Sequence, residues 1–197
     1  MSDRGYTTQT KIEEYLGSGV IATSLTPYIL SAQRYIEDYT QYIFKADTSA
    51  SARLFDGNGG YSLRIDDCVS VTKVEVGNDM YGDTFTEEDI TKIKTLPGNA
   101  IAVGLPITEV VTRTNAFTKG IQNNRITAKW GYCDCVPDDI KFVATVLASG
   151  MYLNNQGAGA VTSESIGQYS VSYDNKQNWS DFANINNVLN NYKRYAL

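Results

Sequence analysis

The spacing of apolar positions changes period twice along the chain, and those changes divide it into regions. Near the start, Ile12, Tyr15 and Leu16 fall at helical spacing and Gly17 closes the run, which predicts a short helix over 8–16. A stronger helical pattern opens at Thr26-Pro27, read as a cap followed by proline at the first helical position, and extends to Phe44. Ile29, Ala32, Ile36 and Ile43, with Tyr39 between them, form its apolar stripe, while Gln33, Glu37 and Gln41 fall elsewhere. From Arg53 the period drops to two. Arg53-Leu54-Phe55 and Tyr61-Ser62-Leu63-Arg64-Ile65 flank Asp56-Gly57-Asn58-Gly59-Gly60, whose residues tolerate positive φ, and this predicts a hairpin. Val69, Val71, Val74 and Val76 continue the strand pattern, and 100–105, 108–113 and 124–130 are further extended candidates.

Helical spacing returns at Val136-Pro137-Asp138-Asp139, where proline and two first-turn carboxylates suit a helix start. Ile140, Val143, Ala144, Leu147 and Met151 carry that stripe to Leu153. Residues 165–173 alternate as an extended segment, and Phe182, Ile185, Val188, Leu189 and Tyr192 mark a last helix from about Ser180 to Leu197. The whole reads as α+β: a small antiparallel helical bundle with a β-rich insertion and an extended C-terminal helical tail. The expected division is a helical part at 1–51, the β-rich insertion at 52–132, a core helix and extended segment at 133–177, and a tail at 178–197.

Composition narrows the chemistry. The 197 residues, 42% hydrophobic and 20% charged, suit one ordinary domain with a real core, or a compact domain with a sizeable insertion. The absence of histidine removes imidazole as base, acid or metal ligand. A net charge of −5 disfavours tight phosphate binding. A polar N-terminus and the lack of any run of roughly 18 apolar residues predict a soluble protein made in the cytoplasm, without a membrane partner.

Each candidate for chemistry also has a plain structural reading. Glu75, Asp79, Asp83, Glu87, Glu88 and Asp89 share a stretch with no Lys or Arg between Lys73 and Lys92, expected to be a solvated loop; Asp79 to Asp83 lacks the alternating oxygen ligands of a calcium loop. Cys68, Cys133 and Cys135 are read as structural thiols in a reducing compartment, too few to complete a zinc site without histidine. The glycine-rich 56–60 turn lacks the phosphate-loop pattern, so no cofactor is expected. Asp66 and Asp67 are adjacent, but strand neighbours face opposite ways and do not make a catalytic dyad. The chain is not expected to be an enzyme. Its 14 tyrosines suit protein contacts better than single-strand stacking, which needs a basic track.

The final segment holds seven asparagines between Asn175 and Asn191, all weak helix formers, so its helix must draw stability from docking. Either it closes its own domain, with Lys193 and Arg194 complementing the helix C-terminus, or it plugs into another polypeptide.

One resemblance bears on that choice. Arg125-Ile126-Thr127-Ala128-Lys129-Trp130-Gly131-Tyr132, followed by Val136-Pro137-Asp138-Asp139-Ile140, resembles the head-to-tail connector (adaptor, or head completion) proteins of tailed bacteriophages. Tyr15-Leu16-Gly17, Tyr42-Ile43-Phe44, Arg53 to Gly57, Ser165-Ile166-Gly167, Tyr169 to Ser172 and the terminal Asn-Asn-Tyr-Lys-Arg-Tyr agree in order. The resemblance implies a structural protein of the virion neck, between capsid and tail, made in the host bacterium. Such a protein commonly forms a twelve-copy ring that joins the portal protein to a tail or stopper protein and lets double-stranded DNA pass without specific binding. It further implies portal contact through Leu189, Tyr192, Lys193, Arg194, Tyr195 and Leu197. Asp56, Asn58 and Tyr61 are then expected at a subunit interface or a tail-facing loop. From a different class, the alternative is a monomeric module whose β-rich region binds a small ligand, a glycan or an assembly partner.

Overall fold

The computed structural model describes residues 3–17, 19, 21–155, 163–166, 169–172 and 177–193, with the backbone course alone for 163–166, 169–172 and 177–184. The chain divides into two compact units: Ile43–Cys135, and Met1–Tyr42 together with Val136–Leu197.

The first is a sheet unit, with β1 (Ser51–Gly57), β2 (Ser62–Gly77), β3 (Phe85–Glu87), β4 (Lys94–Leu96), β5 (Ile107–Val111) and β6 (Gly120–Trp130). These six strands make one antiparallel sheet in the order β1-β6-β2-β5-β4, with β3 on β2. The expected hairpin of 53–65 is therefore not a hairpin. β6 lies between β1 and β2, pairing Leu54 with Arg125 on one side and Glu75 with Arg125 on the other. The Gly-rich turn instead bonds to the approach to β6: Gly59 N–H donates to the Phe117 carbonyl (2.9 Å) and Phe117 N–H to that of Gly60 (2.8 Å). A long-range strand wins the ladder because its alternating apolar residues, Ile126, Ala128 and Trp130, complete the core with Leu63, Ile65, Val74 and Val110. Trp130 Nε1 donates to the Ser51 carbonyl at 2.8 Å, so this core aromatic also has its polar atom satisfied.

Two further expectations change in this unit. Residues 100–105 are not extended: Ile101–Val103 is a single 3₁₀ turn, bounded by the turn formers Pro97-Gly98-Asn99 and Gly104, with no room for a strand between them. The acidic stretch is also more than a solvated loop. Glu75 lies in β2 and is almost fully buried, accepting from Arg125 Nε (2.7 Å) and Nη2 (2.6 Å) and from Lys73 Nζ (3.1 Å). Its cationic partners lie two residues back and across the sheet, where a scan of the intervening sequence does not see them. Arg125 holds the Glu75 carboxyl down at about 2. Glu88 is buried as well and accepts from Asn115 Nδ2 at 2.6 Å.

The helical unit contains α1 (Gln9–Leu16), α2 (Thr26–Thr40), α3 (Asp138–Asn155) and α4 (Gln177–Tyr192), with a strand pair β7 (Ser163–Ile166) and β8 (Tyr169–Ser172). α1 is capped by Thr8, whose Oγ1 accepts from Lys11 N–H, and ends at Gly17 in the left-handed conformation, φ 61°. α2 begins one residue earlier than its sequence suggests, with buried Leu25 at the cap position and Thr26 already helical. It stops at Thr40, with Gln41 at φ 61°. It does not reach Phe44, because the Ile43 and Phe44 carbonyls accept from Tyr132 and Cys133 N–H (2.8 and 3.0 Å) within the sheet unit. Gln33 proves to be a core residue whose Oε1 accepts from Arg4 N–H (2.9 Å).

α3 packs against α1, α2 and α4. Ile140, Val143, Ala144 and Leu147 are buried along it, each large aliphatic contributing about 2 kcal/mol. Among the described residues the two units together make an α+β protein of four α-helices and a six-stranded antiparallel sheet, and no helix is long and apolar enough to cross a membrane.

Candidate functional site

The residues expected to contact a partner fall at two places, one in each unit. In the helical unit α4 lies on α2 and α3, with Ile185 and Leu189 fully buried there. Leu189 is thus a core position of its own unit. The end of the helix is tied down by polar aromatic contacts. Tyr192 Oη donates to Asp139 Oδ2 (2.9 Å) at the start of α3, and Tyr39 Oη of α2 donates to Asn190 Oδ1 (2.7 Å). Lys193 Nζ stands 5.4 Å above the Tyr39 ring, which in turn stacks on half-exposed Tyr35 at 6.1 Å and 20°. Aromatic faces, amides and a cation therefore share one surface, of the kind enriched at protein interfaces. Arg194, Tyr195 and Leu197 lie outside the described residues.

In the sheet unit, Asn58 shapes the turn after β1: its Nδ2 donates to the Ser62 carbonyl (2.9 Å) and its Oδ1 accepts from Gly60 N–H (2.8 Å). Tyr61 follows it as an exposed ring. Asp56 is exposed, and its Oδ1 accepts from Gln122 N–H (2.7 Å), which joins the turn to the start of β6.

The remaining candidates for chemistry are accounted for locally. Asp66 is ion-paired to Arg53 (2.7 Å), whose guanidinium covers the Trp130 ring at 4.5 Å. Burial pushes the Cys68 thiol up to about 12 and Cys133 up to about 11, so both stay protonated at neutral pH. Among the described residues no group of three His, Cys, Asp or Glu side chains is placed to hold a metal ion. A groove of about 610 Å³ opens beside α1 and α3, lined by Tyr6, Thr7, Tyr15, Phe142 and Thr145. It lies within the helical unit.

This fold has solved counterparts. Over its full length the chain is similar to a chain in the neck of an empty gene transfer agent particle, determined with C6 symmetry: TM-score 0.58, 11% identity, 94% of that chain covered. A chain in the virion of the native gene transfer agent particle matches with the same values. One in the native particle's neck, determined with C12 symmetry, matches at TM-score 0.55 and 10% identity, over 100% of this chain and 94% of the other. No protein-family model matches the sequence, and no curated protein does.

Sequence reading missed part of what the sheet unit presents. Met80, Tyr81 and Ile121 are exposed together beside Asp56, at the end of the sheet where β2 turns toward β3 and β6 begins. The available signal was Asn123-Asn124, two amides in the middle of an otherwise alternating strand, and both are fully buried.

Proposed function

We propose that this chain is a structural subunit of a virion neck, a connector (adaptor) that joins the portal to a tail or stopper protein as a ring around the DNA channel. The observation that carries the reading is end-to-end correspondence: all of this chain aligns with nearly all of chains found in gene transfer agent particles, two of them in necks determined with C6 and C12 symmetry. A match to one isolated module inside a larger enzyme would not cover both chains so fully. The connector resemblance of the Trp130-Gly131-Tyr132 and Val136-Pro137 region supports the same reading independently. A ring needs heterologous contacts between identical copies, and the tail-side or lateral face is assigned to Asp56, Asn58 and Tyr61.

Portal contact is assigned to the Tyr35, Tyr192 and Lys193 surface and to Arg194, Tyr195 and Leu197 beyond it. Leu189 supports that surface from beneath. The reaction is assembly, with no bond made or broken, and the net charge of −5 suits a conduit past which DNA slides. Removing everything from Asn178 onward would strip Ile185 and Leu189 from the core, so the informative variants lie on the surface. Lys193→Glu combined with removal of 194–197 is expected to abolish co-sedimentation with portal rings while leaving the circular dichroism unchanged. Undiminished co-sedimentation would overturn the portal assignment.

A further inference from the structure

The end of the sheet next to Asp56 holds apolar side chains in water on an unusually well-braced support. Met80 is 54% exposed, Tyr81 72% and Ile121 64%. They come from the β2–β3 loop and the start of β6, which are in backbone contact, with Ile121 N–H donating to the Met80 carbonyl at 3.0 Å. Glycine is required at Gly120, because a Cβ there would lie 2.1 Å from the Met80 carbonyl oxygen. Beneath this junction Asn123, fully buried, donates to the carbonyls of Asp79 (3.0 Å) and Thr118 (2.8 Å). Its Oδ1 accepts from Gly57 N–H (3.0 Å) and Asn124 Nδ2 (2.9 Å). Asp79 Oδ1 accepts from the N–H groups of Tyr81 and Gly82, both at 2.8 Å. Gln122 is held at φ 51°, an uncommon conformation for a residue other than glycine, by the Asp56 contact to its N–H. A buried amide hub and a left-handed glutamine are a large structural investment for a loop that only meets solvent. Preorganisation of this kind lowers the entropy cost of binding.

The charge around the tip indicates what covers it. Exposed Asp56 bonds the residue after Ile121, Asp79 and exposed Asp83 share the loop of Met80 and Tyr81, and Lys119 stands on the 56–60 side. The carboxylates outnumber the cation, and a second copy of a chain with net charge −5 is a poor match for an acidic rim. We infer that Met80, Tyr81 and Ile121 form a preformed docking knob for an apolar socket rimmed by lysine or arginine on a different protein. The inference deepens the neck reading by giving the sheet unit a heterotypic partner, and it rests on that reading only for where the partner resides.

A photo-crosslinking benzoylphenylalanine placed at Tyr81 in cells that make the particles tests it, with the same group at exposed Thr72 as reference. The expected adduct is with a peptide of another protein that carries Lys or Arg beside apolar residues. Asp83→Lys, which leaves Asn123 and its four partners untouched, should reduce the adduct about tenfold, and Met80→Ser with Ile121→Ser should abolish it. Adducts confined to copies of this chain or to lipid, or a yield equal to that at Thr72, would overturn the knob. Absence of the chain from purified particles would overturn the neck reading instead, whatever Tyr81 captures.

Discussion

The two units stabilise themselves in different ways. The sheet unit bonds buried polar groups to one another and to the backbone: Asn123 satisfies four partners, and Glu75 sits between Arg125 and Lys73. The helical unit relies on an aliphatic seam along α3 and on buried hydroxyl bonds, such as Thr7 to Thr145 (2.7 Å) and Ser149 to the Thr145 carbonyl (2.7 Å). Its α4 is rich in asparagine and depends on Ile185 and Leu189 to stay attached. The sheet unit is therefore built to hold loops in a fixed shape. The helical unit presents a polar aromatic surface at the end of α4, where Tyr192 and Lys193 are tied to Asp139 and Tyr39.

The contrast breaks most readily at Trp130. Trp130→Ala should cost the sheet unit about 4 kcal/mol, read by denaturant unfolding, because the core aromatic and its bond to Ser51 are lost together; a cost near zero would mean the core is placed wrongly. Asn123→Ala comes next at about 3 kcal/mol, since it leaves buried donors and acceptors without partners. It should also speed amide exchange at Gly57 and in 79–83, an effect that a purely exposed asparagine would not produce. In the helical unit, Leu189→Ala should cost about 2.5 kcal/mol in the isolated chain. Unchanged stability with lost portal binding would instead make Leu189 an interface residue and α4 a docking tail.

Smaller effects sharpen the electrostatic side of the comparison. The Glu75 carboxyl is held at about 2, below its ordinary 4.5. Its contribution to stability is complete above about pH 4.5 and disappears as pH falls toward 2, and Glu75→Gln should flatten stability across that window. Among the thiols, exposed Cys135 should be alkylated at neutral pH well before Cys68 and Cys133, whose burial keeps them protonated; mass spectrometry of a time course reads the order.

The helix starts and the strand-rich middle were legible because they rest on local signals: Thr8 and Gly17 around α1, and Pro137 with two aspartates opening α3. The α+β class followed from where the period changes. What escaped was set by partners distant in sequence. A hairpin at 53–65 is the correct local inference, and only the core demand of Ile126, Ala128 and Trp130 places β6 between the two arms. Glu75 looks solvated until Arg125 is brought opposite it, and Gln33 looks polar-facing until the Arg4 peptide group reaches it. At the candidate site, Asp56 and Asn58 were visible as turn residues. The knob beside them was not, because Met80 and Ile121 lie 41 positions apart in the sequence.

Electron microscopy of purified particles, with this chain carrying a small visible tag, decides whether it is a neck subunit. Tag density is expected at regular angular positions in a ring between capsid and tail. Particles that contain the chain elsewhere, or complete necks that lack it, would contradict that role.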